Sequence, residues 1–152
     1  MMNPLAQMNQ SREYVEQYLT DEIDFTQMAR IAGCSEYHFR RMFSYLAGMS
    51  LGEYIRRRRL SVAGGLLRDG SKVIDCAMLL GYESADAFSK AFQAIHGIPP
   101  SEAKKADAAL VAFPPMTFQL TIPGRSKMYY RISSKEPCPL NHTDTVDQHP
   151  IV

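Results

Sequence analysis

Between residues 36 and 46 the sequence EYHFRRMFSYL places Tyr37, Arg40, Arg41, Ser44 and Tyr45 on the side of a helix away from Phe39, Met42, Phe43 and Leu46. The four apolar residues recur at i, i+3, i+4 and i+7, the spacing of one buried helical face. The outward residues have a chemistry suited to the DNA major groove. Arginine can donate two hydrogen bonds to guanine O6 and N7, and Tyr or Ser can reach phosphates or thymine methyl groups. The bland alternative, a solvated charged face, holds for most single amphipathic helices. Here a second set of residues argues against it. Over residues 84–95, Ala85, Asp86, Ser89, Lys90 and Gln93 lie outside a stripe of Phe88, Ala91, Phe92 and Ile95. This set is the poorer reader of bases. Asp86 is repelled by phosphate, although it can accept from a cytosine amine, and Ala85 offers only a methyl contact. Ser89 and Lys90 are expected to hold the backbone.

Other chemistry finds no comparable pattern. His38 sits in the first turn of its helix, His96 adjoins Gly97 where it would complement the helix dipole, and His142 and His149 fall in a polar tail. None has a nucleophile and a third orienting residue nearby in sequence. Cys34, Cys76 and Cys138 are odd in number and widely spaced, unlike a disulfide framework or a zinc site, so a reducing cytoplasm is the default. Cys34 and Cys76 read as small, half-buried apolar side chains. No enzymatic activity, cofactor or metal is expected. There is no apolar run of about 18 residues to cross a membrane and no secretory signal at the N-terminus.

Such side chains act only if helices and a core position them. A chain of 152 residues, 45% apolar, suits one globular domain with a real core. Net charge is only +1, but it is unevenly spread. Arg12 stands alone against Glu13, Glu16, Asp21, Glu22 and Asp24 in residues 1–24, whereas residues 40–59 set Arg40, Arg41 and Arg56 to Arg59 against Glu53. It is a local positive face, not the total, that meets phosphate.

Residues 28–54 and 76–102 repeat one another. Ala29 and Gly33 match Ala77 and Gly81 at an offset of 48, and Phe39, Phe43 and Gly48 match Phe88, Phe92 and Gly97 at an offset of 49. The extra residue falls in a turn, where insertion costs least. Each copy reads helix, tight turn, helix. Asp24 with Gln27 resembles a capping box opening a helix whose Phe25, Met28, Ala29 and Ala32 share a face. Gly33 ends that helix, Ser35 caps the next and Gly48 stops it. Ser50 with Glu53 opens a longer helix to Asp69, in which Leu51, Ile55, Val62 and Leu66 lie near one face beside Tyr54 and Leu67. Gly64 and Gly65 each weaken it by about 1 kcal/mol relative to Ala, and would allow close packing. Its length, roughly 30 Å at 1.5 Å per residue, is near the ~34 Å between successive major-groove faces. At most two of Arg56 to Arg59 can face DNA, and Arg56 is the candidate. The others are expected to cover apolar surface or to pair with acids such as Glu53.

The order GCSEYHFRRMF, GMSLGEYIRRRRL, GYESADAFSKAFQAIHGIPPSE resembles the AraC/XylS type of transcription regulators from about residue 10 to residue 106. The resemblance implies an all-α fold of about seven helices, with two helix-turn-helix units joined by a long connector helix. The first unit then spans about 24–47, the connector about 50–69 and the second unit about 72–96. It also implies a sequence-specific, double-stranded-DNA-binding regulator that puts two recognition helices, residues 36–46 and 84–95, into successive major grooves. Contacting positions fall on Tyr37, Arg40 and Arg41. Ala85 and Asp86 depart from the amides that some relatives carry, which weakens base readout by the second unit.

Residues 107–152 read as a separate C-terminal part. AFPPMTFQLTIPGRSKMYYRI resembles the opening of the GyrI-like small-molecule-binding domain of Rob-like regulators. It predicts a β-hairpin over about 117–133 around a Pro123-Gly124 turn. Only about 20 residues follow, so the segment reads as a truncated start with a disordered tail. A small-molecule effector is therefore not expected to act through this segment alone. A lone hairpin is marginal in water, so residues 110–136 are expected either to pack on the helices or to pair by their edge with another chain. RNA polymerase is a further candidate partner, and the oligomeric state is left open. The competing functional reading is a ligand-sensing or protein-interaction module built on the hairpin.

Overall fold

The computed structural model describes residues 3–105, 107–121, 129–134 and 149–150. In chain order these form α1 (Pro4–Gln17), α2 (Phe25–Ala32), α3 (Glu36–Ala47), α4 (Leu51–Arg68), α5 (Val73–Leu79) and α6 (Ala85–His96). A 3-10 turn (Pro100–Glu102) and strands β1 (Met116–Thr121), β2 (Tyr129–Ser134) and β3 (His149–Pro150) follow. The seven expected helices are thus six α-helices and one 3-10 turn among the described residues.

Local chemistry explains the helix ends. Asp24 Oδ1 accepts from the Thr26 and Gln27 amides at 3.0 and 3.2 Å, and Ser35 Oγ accepts from the His38 amide at 3.1 Å. The Gln27 side chain does not complete a capping box; its Oε1 accepts from Arg30 at 2.8 Å instead. Gly33, Gly48 and Gly97 close α2, α3 and α6 at φ 77°, 74° and 78°, a left-handed conformation that favours glycine.

Two compact units emerge. One gathers α1, α2, α3 and the sheet; the other gathers nearly all of α4, then α5, α6 and the segments 17–23 and 97–113. In the first, Met8, Val15, Met28, Phe39, Phe43 and Phe118 are buried. Phe118 comes from β1 and meets Phe43 edge-on, ring centroids 5.6 Å apart at 86°. The Asn9 side chain fixes it there. Asn9 Nδ2 donates to Phe118 O at 2.7 Å, and the Phe118 amide donates to Asn9 Oδ1 at 2.8 Å. Of the two fates expected for the hairpin segment, β1 takes the first and packs on helices.

The sheet is antiparallel, in the order β1-β2-β3, with Phe118 opposite Ile132. The hairpin is present as expected, while its Pro123-Gly124 turn lies outside the described residues. So do Cys138, His142 and the tail from 135 to 148. At the end of the tail, expected to lack structure, His149–Pro150 pairs with Tyr129 and Tyr130 of β2.

In the second unit Leu60, Ala63 and Leu67 of α4 bury against Cys76, Ala77, Leu80, Phe88 and Phe92. Of the expected α4 face, Leu51, Tyr54, Ile55 and Leu67 are buried, and the remainder is corrected. The buried stripe runs through Leu60, Ala63 and Leu67, and Val62 and Leu66 are only half-buried. Gly64 lies at a close approach, since a Cβ there would stand 3.2 Å from Leu110 Cδ1 and 3.6 Å from His96 Cε1. Gly65 has nothing within 4 Å and serves no such contact.

His96 also departs from expectation. It is buried, 5% exposed, and stacks on Phe92 with centroids 4.1 Å apart. The Val111 amide donates to its Nδ1 at 2.9 Å, so Nε2 carries the proton and donates to Leu60 O, also at 2.9 Å. The ring pins the segment after α6 to α4, a role distinct from dipole complementation. Burial pulls its pKa below the ordinary histidine value.

Candidate nucleic-acid interface

The first unit carries the expected outward face. Phe39 and Phe43 are fully buried, while Tyr37 and Tyr45 are 71% and 78% exposed and Arg41 and Ser44 are exposed beside them. Positions 37, 41, 44 and 45 follow the i, i+4, i+7, i+8 spacing of one stripe. Exposing two large aromatic side chains to water gains nothing in folding. Their rims suit stacking and phosphate contact. The Arg41 guanidinium lies over the Tyr37 ring, 5.8 Å from its centroid, which limits how that long side chain roams.

Arg40 is held more firmly. Its Nε donates to Glu36 Oε2 at 2.9 Å, and its guanidinium carbon sits 4.6 Å from the Phe25 ring centroid. One guanidinium edge is thereby used, and the two terminal nitrogens remain for bidentate contact. Sequence reading missed Glu36 and Phe25 as supports of Arg40. The Glu36–Arg40 spacing of four was the available signal.

In the second unit, Ser84 Oγ caps α6 by accepting from the Ala87 amide at 3.1 Å. Asp86 and Lys90 are exposed and paired, Lys90 Nζ 3.4 Å from Asp86 Oδ2, whereas Ala85 and Ser89 are half-buried. Two arginines against one glutamate give α3 a formal charge of +1; one lysine against one aspartate gives α6 zero. Of the two second helices, α3 carries the greater positive charge.

The arginine run of α4 is anchored within its own unit. Arg56 and Arg57 both donate to Glu53, the latter from Nε at 2.6 Å. Those hydrogen bonds, that from Arg57 first, hold the Glu53 carboxyl below its ordinary pKa. Arg57 also lies 5.4 Å from the Phe113 ring centroid, Arg58 donates to Phe113 O at 2.6 Å, and Arg59 donates to Leu19 O at 2.8 Å. Arg56, the expected phosphate contact, is thus engaged by Glu53 in this structure.

Burial raises the thiol pKa of both Cys34 and Cys76, which lowers their thiolate fraction. No metal-binding group of His, Cys, Asp and Glu occurs among the described residues, and none of their helices is long and apolar enough to cross a membrane.

Two tandem helix-turn-helix units with an arginine- and tyrosine-faced second helix define a DNA-binding class of fold. The helix-turn-helix domain family matches residues 28–106. The chain belongs to that family, in its AraC-type branch, and is a sequence-specific DNA-binding transcription regulator. It is 37% identical over 95 residues to the HTH-type transcriptional activator AarP of Providencia stuartii, covering 62% of this chain and 70% of AarP. It is 34% identical over 91 residues to the regulatory protein SoxS of Salmonella typhimurium, covering 59% of this chain and 85% of SoxS. Among solved structures it is similar to the DNA-binding domain of the global transcriptional factor AdpA, crystallised with a target DNA. That match has a TM-score of 0.56 at 25% identity and covers 68% of this chain and 91% of that one.

Proposed function

We propose that α3 reads bases in one major groove through Tyr37, Arg40 and Arg41, with Ser44 on the backbone, while α6 enters the successive groove. There Ser89 and Lys90 grip phosphate, and Ala85 and Asp86 add a weak base preference. The observation that carries this reading is the α3 surface: two capped ends, a fully buried Phe39/Phe43 face, and an exposed Tyr37–Arg41–Ser44–Tyr45 stripe. Arg56 joins the interface by exchanging Glu53 for a phosphate oxygen.

Selecting bound duplexes from a random pool, then measuring anisotropy on the winner and on scrambled DNA, tests the assignment. Arg40→Ala and Arg41→Ala should each cost about 1–3 kcal/mol on the selected site and relax preference at one position. Arg56→Ala should weaken all sequences alike. Flat binding at micromolar or weaker affinity in low salt would remove the reading.

As an activator the chain would also contact RNA polymerase, through surface other than α3 and α6. A polymerase pull-down that survives Arg40→Ala and Arg41→Ala separates that activity from DNA binding.

A further inference from the structure

The first unit contains a cavity of about 820 Å³ between α1, the back flank of α3 and β1. The volume lies within the ~300–1,000 Å³ typical of small-molecule sites. Leu5, Ala6 and Met8 of α1, Met42 and Leu46 of α3, and Phe118 of β1 contribute to its apolar wall. Its two methionines have unbranched side chains that adapt to irregular ligands. The polar residues lining it are neutral: Asn3, Asn9, Tyr45 and Gln119. No carboxylate, ammonium, guanidinium or imidazole lines it among the described residues. An ion entering would lose hydration with no counter-charge to replace it.

The floor of the cavity is fixed. Phe118 is held through both its backbone polar groups by Asn9 and through its ring by Phe43. A guest therefore meets a preformed wall, which keeps the ordering cost of binding low. The wall is also part of the DNA-facing helix. Met42 and Leu46 line the cavity, Tyr45 lies at its rim, and Arg41 and Ser44 occupy adjoining positions on α3.

We propose that this cavity is an effector site for a neutral, largely apolar small molecule, whose occupancy shifts the DNA affinity of α3. The binding half stands on the cavity alone; the regulatory half rests on the DNA reading above.

N-phenyl-1-naphthylamine, neutral and fluorescent when shielded from water, is the probe for the full chain. Its sulfonated relative 1-anilinonaphthalene-8-sulfonate supplies the charged control. The neutral dye should saturate at one site and the anionic dye should bind at least tenfold more weakly. Ala6→Phe, which fills the cavity from α1, should weaken the neutral dye at least tenfold without changing the far-ultraviolet circular dichroism. If that variant loses its fold, Leu5→Gln, which makes the wall polar, should weaken the dye several-fold. Non-saturating fluorescence, equal affinity for both dyes, or dye binding unchanged in a folded variant would overturn the site. With the dye saturating, affinity for the selected duplex should shift at least threefold in the wild type and not in Ala6→Phe. An unshifted affinity would overturn the regulatory role while leaving DNA binding, measured without dye, as its own result.

Discussion

Glu36 decides how Arg40 can be used. A free arginine offers guanine several geometries, but an Nε already bound to a carboxylate offers only its terminal pair. Glu36→Gln should raise affinity for random DNA, because a negative charge leaves the groove-facing helix, and lower the preference for the selected site. An unchanged ratio between the two duplexes would show that Glu36 does not orient Arg40. At His96 the expected effect is on stability. Its pKa is depressed in the folded chain by burial, and the unfolded chain takes up the proton first as pH falls. Its contribution is therefore complete above about pH 6.5 and is lost on going lower, toward the folded value. The melting temperature should drop between pH 7 and 5, with a shallower slope in His96→Gln; parallel slopes would assign the loss to other groups. The Glu36–Arg40 spacing of four was legible in the sequence; the role of His96 was not. His96 reaches Leu60 and Val111 across 36 and 15 residues of chain, and a spacing rule sees only the helix it sits on.

The elements themselves were legible where local rules decide them. Phe39 with Phe43 and Phe88 with Phe92, each pair closed by a glycine, announce both second helices, since spacing of four and a left-handed stop are local facts. The buried face of α4 was read correctly at Leu51, Tyr54, Ile55 and Leu67 and misread at Val62 and Leu66 in place of Leu60 and Ala63. Both sets fit a helical stripe, and only the packing partner chooses. Its two glycines make the difference measurable. Gly65→Ala fills open space on a helix and should stabilise by about 0.5–1 kcal/mol. Gly64→Ala must displace Leu110, 3.2 Å away, and should stabilise less or destabilise. Thermal melts of the two variants compare them directly, and equal gains would deny the close approach. The arginines turned away from DNA were expected to cover apolar surface or pair with acids. Arg57 does pair with Glu53, whereas Arg58 and Arg59 donate to backbone carbonyls. Which partners they find, Phe113 and Leu19 among them, depends on contacts at sequence separations of 55 and 40 for Arg58 and Arg59.

At the scale of the whole chain, recognition is an electrostatic act carried by few charges. The logarithm of DNA affinity should fall linearly with the logarithm of salt, with a slope reduced by about 1 for each phosphate-bound side chain removed. Lys90→Ala is the test in the second unit, and a slope identical to wild type would take Lys90 out of the interface. The family match ends at residue 106, yet the first unit continues beyond it into β1. A chain ending at 106 lacks Phe118, and loss of a buried Phe ring costs about 3–5 kcal/mol. Its first helix-turn-helix should melt well below that of the full chain, and an equal midpoint would make the strand dispensable. β1 contributes to this core through the ring of Phe118, which Asn9 of α1 holds in place.

That asparagine has a practical side. β1 is an outer strand of the sheet, and an outer strand offers its backbone to any passing chain. By occupying both polar groups of Phe118, the Asn9 amide closes that offer at the middle of the strand. Concentrated stocks of Asn9→Ala should cloud on storage at concentrations where the wild-type chain stays clear.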